Sequence, residues 1–227
     1  MPQKRVRGFT PLETSRHRRL PRTRGSLTGF TLIELIITIA ILAVLITIVV
    51  VALNPAEQLQ RSRDTKRVAD LDAVKTAINL YLAQATATIS LDGGTNTKCR
   101  NGTVGSVTKY VSTGGAVATT TPFDLLVATT TQTIGTGSLT GWIPARMDQT
   151  PGGTSLASLP LDPSNGTGNS TSSYYAYACS TAKTFELSAR LESAYFKSDL
   201  NLIGTDGGNS TSTYEAGADL AIINNAE

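Results

Sequence analysis

Phe30-Thr-Leu-Ile-Glu34-Leu-Ile-Ile-Thr-Ile-Ala-Ile-Leu-Ala-Val-Leu-Ile-Thr-Ile-Val-Val-Val-Ala-Leu53 is the stretch on which the fold turns. From Leu35 to Leu53 it contains no charged residue. At about 1.5 Å rise per residue, a helix of that length spans the hydrocarbon layer of a bilayer. A buried core helix carries its apolar residues on one stripe, whereas here they cover every face, so the pattern predicts a membrane-spanning helix. The single ionisable side chain in it, Glu34, lies near its start. A carboxylate costs about 2.5–3.5 kcal/mol at the centre of such a helix and less near an end, so its presence asks for a function.

The residues before this stretch are of a different kind. Residues 1–29 carry eight Lys or Arg against the one acid Glu13, whereas residues 30–227 carry 12 basic and 16 acidic side chains. The formal charge of +3 for the whole chain therefore averages a +7 leader with a −4 remainder. A basic segment ahead of an apolar helix is retained in the cytoplasm by the positive-inside tendency. A secretory signal would need small residues at −3 and −1 beyond the apolar run, and Val51-Ala-Leu-Asn-Pro-Ala56 lacks them. Composition excludes further classes. The one histidine, His17, falls in the leader, so no histidine-based triad or metal site can form in the rest. Two cysteines are too few for a Cys-rich zinc site, and no phosphate-binding P-loop occurs.

Gly29-Phe30-Thr31-Leu32-Ile33-Glu34, followed by about twenty apolar residues and preceded by a basic leader, resembles the class III signal of type IV pilins and type II secretion pseudopilins. The resemblance implies cleavage between Gly29 and Phe30 by a membrane prepilin peptidase, N-methylation of Phe30, and retention of the apolar helix. It also implies that Glu34 pairs with the terminal amine of a neighbouring subunit. A cationic amine at matching depth offsets the cost of a carboxylate in an apolar filament core, so the pair would set register between copies. Gly8-Phe9-Thr10-Pro11-Leu12-Glu13 repeats the spacing, but Pro11 and the polar run behind it preclude a spanning helix, and no processing is expected there.

Beyond Asn54-Pro55 the pattern becomes amphipathic. Val68, Leu71, Val74, Ile78, Tyr81 and Leu82 form one apolar stripe. The pairs Glu57/Arg61, Asp64/Arg67, Lys66/Asp70 and Asp72/Lys75 are expected on the opposite, solvated face, each worth a few tenths of a kcal/mol. Pro55 cannot donate to the carbonyl of Val51, which predicts a helix break there. The basic group Arg61-Ser-Arg-Asp-Thr-Lys-Arg67 lacks interleaved aromatics and is diluted by Asp64, Asp70 and Asp72, which argues against nucleic acid as a partner.

Residues 91–227 are low in charge and rich in Thr, Ser, Gly and Asn. Tyr174–Cys179 and Thr184–Glu192 read as a hairpin across Ser180-Thr-Ala-Lys183, the second strand alternating as though half-buried. Tyr214–Ile223 reads as a last strand. The helix stripe then packs on a small antiparallel sheet, an α+β fold. Leu159-Pro-Leu-Asp-Pro163 resembles the Leu-Pro-x-Asp-Pro run that precedes the sheet in major pseudopilins and related pilins. Residues 92–158 match no pattern that places their strands. A Cys99–Cys179 bridge would close a loop of roughly 80 residues and contribute about 4–5 kcal/mol in the chain-entropy model; two free thiols are the alternative. Asp206-Gly-Gly-Asn209 with Asp199 offers oxygen ligands for Ca²⁺, but a turn explains the same residues and no metal site is assigned. The sequons at Asn101, Asn165, Asn169 and Asn209 are expected by chance in so Thr-rich a chain.

The expected organisation is thus a cleaved leader (1–29), a membrane and filament-core helix (30–54), its amphipathic continuation (55–90) and a head (91–227), together the pilin fold. The resemblance implies a structural filament subunit without enzymatic activity or cofactor. Its partners would be the prepilin peptidase, the cytoplasmic membrane, other copies of the chain, and an assembly platform with its ATPase. It would begin as a single-pass bacterial membrane protein and end in an extracellular or periplasmic filament. The alternatives are a secretion pseudopilin or a membrane-anchored binding module or enzyme.

Overall fold

The computed structural model describes residues 29–85, 88–100, 107–113, 126–128, 132–134, 141–164 and 173–223. The basic leader, the Gly8–Glu13 repeat of the motif and the sequons at Asn101, Asn165 and Asn169 lie outside the described residues. The chain divides into two units, residues 1–49 and residues 50–227.

Helix α1 (Leu32–Leu53) begins where Thr31 accepts the Glu34 N–H on its hydroxyl at 3.2 Å, an N-cap contact. None of its residues is buried. It is long and apolar enough to cross a membrane. The hydroxyls of Thr38 and Thr47 donate to the carbonyls of Leu35 and Ala43, both at 2.8 Å, so these two polar side chains are satisfied within the helix itself.

Asn54 then adopts a left-handed conformation (φ 42°), and α2 (Pro55–Gln84) starts at the next residue. The break expected at Pro55 therefore falls one residue earlier. Pro55 occupies the first turn of α2, where its missing N–H has no helical acceptor to lose and its fixed φ already suits the helix. Asn54 supplies the cap, its side chain accepting the Glu57 N–H at 3.4 Å. The helix ends at Gln84, with Ala85 as its C-terminal cap.

The sheet has the order β2-β1-β3-β4-β5, from β1 (Lys109–Val111), β2 (Leu126–Ala128), β3 (Tyr175–Cys179), β4 (Phe185–Ala189) and β5 (Tyr214–Gly217). The expected hairpin is β3–β4, in register Tyr175↔Ala189 to Cys179↔Phe185. Its turn places Lys183 at φ 65°. The β1–β3, β3–β4 and β4–β5 pairings are antiparallel, and β2 adds an edge strand parallel to β1. β5 is shorter than expected, and the chain beyond Gly217 leaves the sheet.

One face of the sheet meets α2. Leu71, Val74, Ile78 and Tyr81 are fully buried against Tyr175, Tyr177, Phe185 and Leu187, with Trp142 and Leu159 closing the cluster. Each such side chain contributes about 1.5–3 kcal/mol on burial. The alternation in β4 led to a half-buried strand, but all five of its residues are buried. The other face is covered as well: Ile222 and Ile223 pack on Val111, Ala176 and Ala178. A covering segment from the C-terminal end leaves no mark on β4's own alternation.

Candidate functional site

The first candidate is the start of α1. Phe30 is 84 % exposed, and a Cβ at Gly29 would meet nothing within 4 Å. Glu34 sits in the first turn, and its carboxylate has no partner among the described residues. Thr31 and Glu34 also complete a Thr-x-x-Glu spacing, the pattern of a capping box. That spacing was legible in the sequence, but only its Thr31 half is made here: the Glu34 N–H donates to the Thr31 hydroxyl while the Glu34 carboxylate does not return to the Thr31 N–H. Every large apolar side chain of α1 is exposed, from Leu32 and Ile33 through Leu53.

The second candidate is a buried charge cluster in the head. The stripe Leu71, Val74, Ile78, Tyr81 continues toward the start of α2 as Asp64 and Arg67, both fully buried rather than solvated. Arg67 donates through Nε and Nη2 to Asp162 at 2.6 and 3.0 Å, and through Nη1 to Asp64 at 2.7 Å. It also pairs with Glu192. Asp64 in turn accepts the N–H groups of Glu192 (3.0 and 3.1 Å) and Ser193 (2.8 Å), together with the Ser193 hydroxyl at 2.7 Å. Arg63 pairs with Glu192 from the side.

Burial pushes the Glu192 carboxyl up, but hydrogen bonds from Arg63, Arg67 and Ser164 and the Arg67 charge outweigh it, holding the group down at about 2. Burial likewise pulls the Arg67 guanidinium down, and its three carboxylate partners reverse that and raise it above the usual arginine range. The expected i,i+3 pair Asp64/Arg67 thus exists but faces inward. The pairs Glu57/Arg61 (3.2 Å) and Lys66/Asp70 (2.7 Å) form as expected, whereas Asp72 and Lys75 form no ion pair among the described residues. The basic group at 61–67 is largely spent on the protein itself: Arg61 lies 4.4 Å above the Tyr195 ring, and Glu57 accepts the N–H groups of Ala194 and Tyr195 at 3.3 and 3.1 Å.

The Leu159–Pro163 run is the other half of this cluster. Leu159 is buried, Pro160 accepts the Trp142 indole N–H at 2.9 Å, and Asp162 takes the Arg67 fork. The clustering of Arg67 with Asp162 and Glu192 had no local signal, since its members are separated by 95 and 125 residues.

Cys99 and Cys179 are joined in a disulfide, with their Cα atoms 4.7 Å apart. Asp206 forms a turn: its two oxygens accept the N–H groups of Gly208 and Glu215 at 2.9 and 2.8 Å. Among the described residues no group of three or more His, Cys, Asp or Glu side chains is arranged to hold a metal ion. The sequon residue Asn209 is exposed on this turn.

A family model described as the prokaryotic N-terminal methylation motif matches residues 28–50. Comparison with curated proteins and with solved structures finds no match. The chain carries the class III signal motif typical of type IV pilins and pseudopilins, and the long apolar helix with its small sheet is an α+β arrangement consistent with the pilin fold.

Proposed function

We propose that this chain is a prepilin, cleaved after Gly29 and assembled through α1 as a structural subunit of a type IV pilus-like filament. The observation that carries the reading is the pairing of the methylation motif at residues 28–50 with a helix whose large apolar side chains are all exposed. Lipid covers that helix before assembly, and other copies of the chain cover it afterwards. The head, by contrast, already has a closed core and satisfies most of its buried charge internally, as a repeated building block requires. The role is structural, and the energy for extrusion comes from a separate assembly platform and its ATPase. The leader stays in the cytoplasm, the helix spans the membrane, and the head lies on the far side, where the Cys99–Cys179 bridge is stable.

Mass spectrometry of the mature protein, expressed with a prepilin peptidase, tests the reading. A chain starting at N-methylated Phe30 is expected. An intact leader, or a terminus beyond Ala52, overturns it.

A further inference from the structure

The outer face of the sheet holds two carboxyl groups that the filament reading does not use. In the β4–β5 register Glu186 lies opposite Gly217 and Ser188 opposite Glu215. Glu186 and Glu215 are therefore diagonal neighbours on one face, close enough to interact. Both are buried. Glu186 Oε2 accepts the N–H groups of Ile222 and Ile223 at 2.6 and 2.7 Å, while its Oε1 is buried and meets no donor. Glu215 Oε2 accepts the Ser210 N–H at 3.0 Å. Its carboxylate leaves no room for a side chain at Gly208, where a Cβ would stand 1.8 Å from Oε2.

Among the described residues a short set of polar contacts holds the segment Ala218–Ile223, one of them the Thr184 hydroxyl donating to Asp219 at 3.4 Å. Ala218 and Asp219 donate to the Phe185 carbonyl at 3.0 and 3.4 Å, Arg100 reaches the Ala221 carbonyl, and Glu186 holds the two isoleucine amides. Under it lie Val107, Val111, Ala176 and Ala178. Among the described residues, the other charged or titratable groups on this side are Lys109 on β1, Tyr174 before β3, Arg190 after β4, and Arg100 and Asp219 flanking the segment itself.

Two ionised carboxylates buried as diagonal neighbours would repel, and the Glu186 acceptor without a donor would remain beside them. One proton between them removes both penalties. We propose that Glu186 and Glu215 share a proton, and that this proton is the catch holding the C-terminal strap Ala218–Ile223 closed over the outer face of the sheet, released as the medium turns alkaline.

Burial, with the neighbouring Glu215, pushes the Glu186 carboxyl up to about 8 from its ordinary 4.5, against the opposing pull of the Ile222 and Ile223 amides. Opening the strap wets Glu186 and returns its carboxyl toward the ordinary value. Between about pH 4.5 and 8 the open form binds fewer protons than the closed one, so opening becomes easier as pH rises, by up to tenfold per pH unit. Below and above that interval it is level. Opening uncovers the apolar strip along β1 and β3.

Amide hydrogen exchange of the full chain in detergent micelles, between pH 5 and 9 and corrected for base-catalysed exchange, tests the catch. Protection at Ile222 and Ile223 is expected to fall by nearly tenfold per pH unit up to about pH 8, while Tyr177 and Leu187 in the β3–β4 ladder hold. Glu186→Gln and Glu215→Gln should each flatten the slope, because a carboxamide supplies a permanent donor where the shared proton stood. A flat profile in the unaltered protein overturns the proposal, whether or not the variants fold. The same slope in the ladder amides also overturns it, since that would report opening of the whole sheet.

Discussion

Arg67 grips both oxygens of Asp162 across 95 residues of chain, at 2.6 and 3.0 Å, and neither side chain is exposed to solvent. The pair joins the first half of α2 to the run that leads toward the central hairpin. Planar guanidinium–carboxylate recognition fixes orientation as well as distance, so it sets where α2 lies on the head more sharply than its apolar stripe does. A stripe of Leu, Val and Ile tolerates sliding; a buried fork does not.

Removing one partner should therefore cost more than removing a leucine methyl. Arg67→Ala leaves Asp64 and Asp162 buried without their cation and is expected to destabilise the head by about 3–5 kcal/mol. Arg67→Lys retains the charge but loses the fork, and should still cost about 1.5–3 kcal/mol. Urea unfolding followed by the Trp142 fluorescence measures both. Equal stability of the lysine variant and the parent would show that charge alone suffices.

Glu192 gives the cluster a pH signature. Its carboxyl is held at about 2 in the fold against an ordinary 4.5. Because the folded value is depressed, its stabilisation is complete above about pH 4.5 and is lost as pH falls toward 2. The expected outcome is a thermal midpoint that drops across that interval, with a shallower drop in Glu192→Gln. Identical acid profiles for the two proteins would remove Glu192 from the account.

The Cys99–Cys179 bridge constrains about a third of the chain. Reduction, or a double Cys→Ser replacement, is expected to lower stability by about 4–5 kcal/mol through the entropy of the unfolded loop. Calorimetry with and without reductant reads the effect. Midpoints that differ by less than about 2 °C would mean that the loop is already restricted when unfolded.

Two proposed roles for Glu34, at the helix start and between subunits, can be separated. As a helix-start residue beside Thr31 it could be replaced by glutamine, which serves equally well at that position of a capping box. As the charge partner of a neighbouring terminal amine it could not. Glu34→Gln is expected to insert and be cleaved normally yet yield no filaments by electron microscopy. Abundant filaments from that variant would assign Glu34 to the helix start alone.

What could be read from residues in order is what depends on near neighbours. The apolar run from Leu35 to Leu53 specifies α1 because nearly every side chain in it favours the same environment. Asn54-Pro55 specifies a break, misplaced by one residue because proline is better tolerated in a first turn than just before one. The β3–β4 hairpin follows from a tyrosine-rich run and an alternating run on either side of a short turn.

Asp64 and Arg67 show the limit. Their positions continue the spacing of Leu71, Val74, Ile78 and Tyr81, yet charge led them to be placed in solvent, because a buried ion is expensive unless partners meet it. Those partners, Asp162 and Glu192, come from segments about a hundred residues away. The covered outer face of β4 is a similar case, since Ile222 and Ile223 arrive from the far end of the chain. Local preferences are additive along the sequence and can be summed from it, and they determined the long apolar helix and the hairpin. Whether a charged or alternating stretch is buried depends on what the rest of the chain brings to it, and only the tertiary structure decided that.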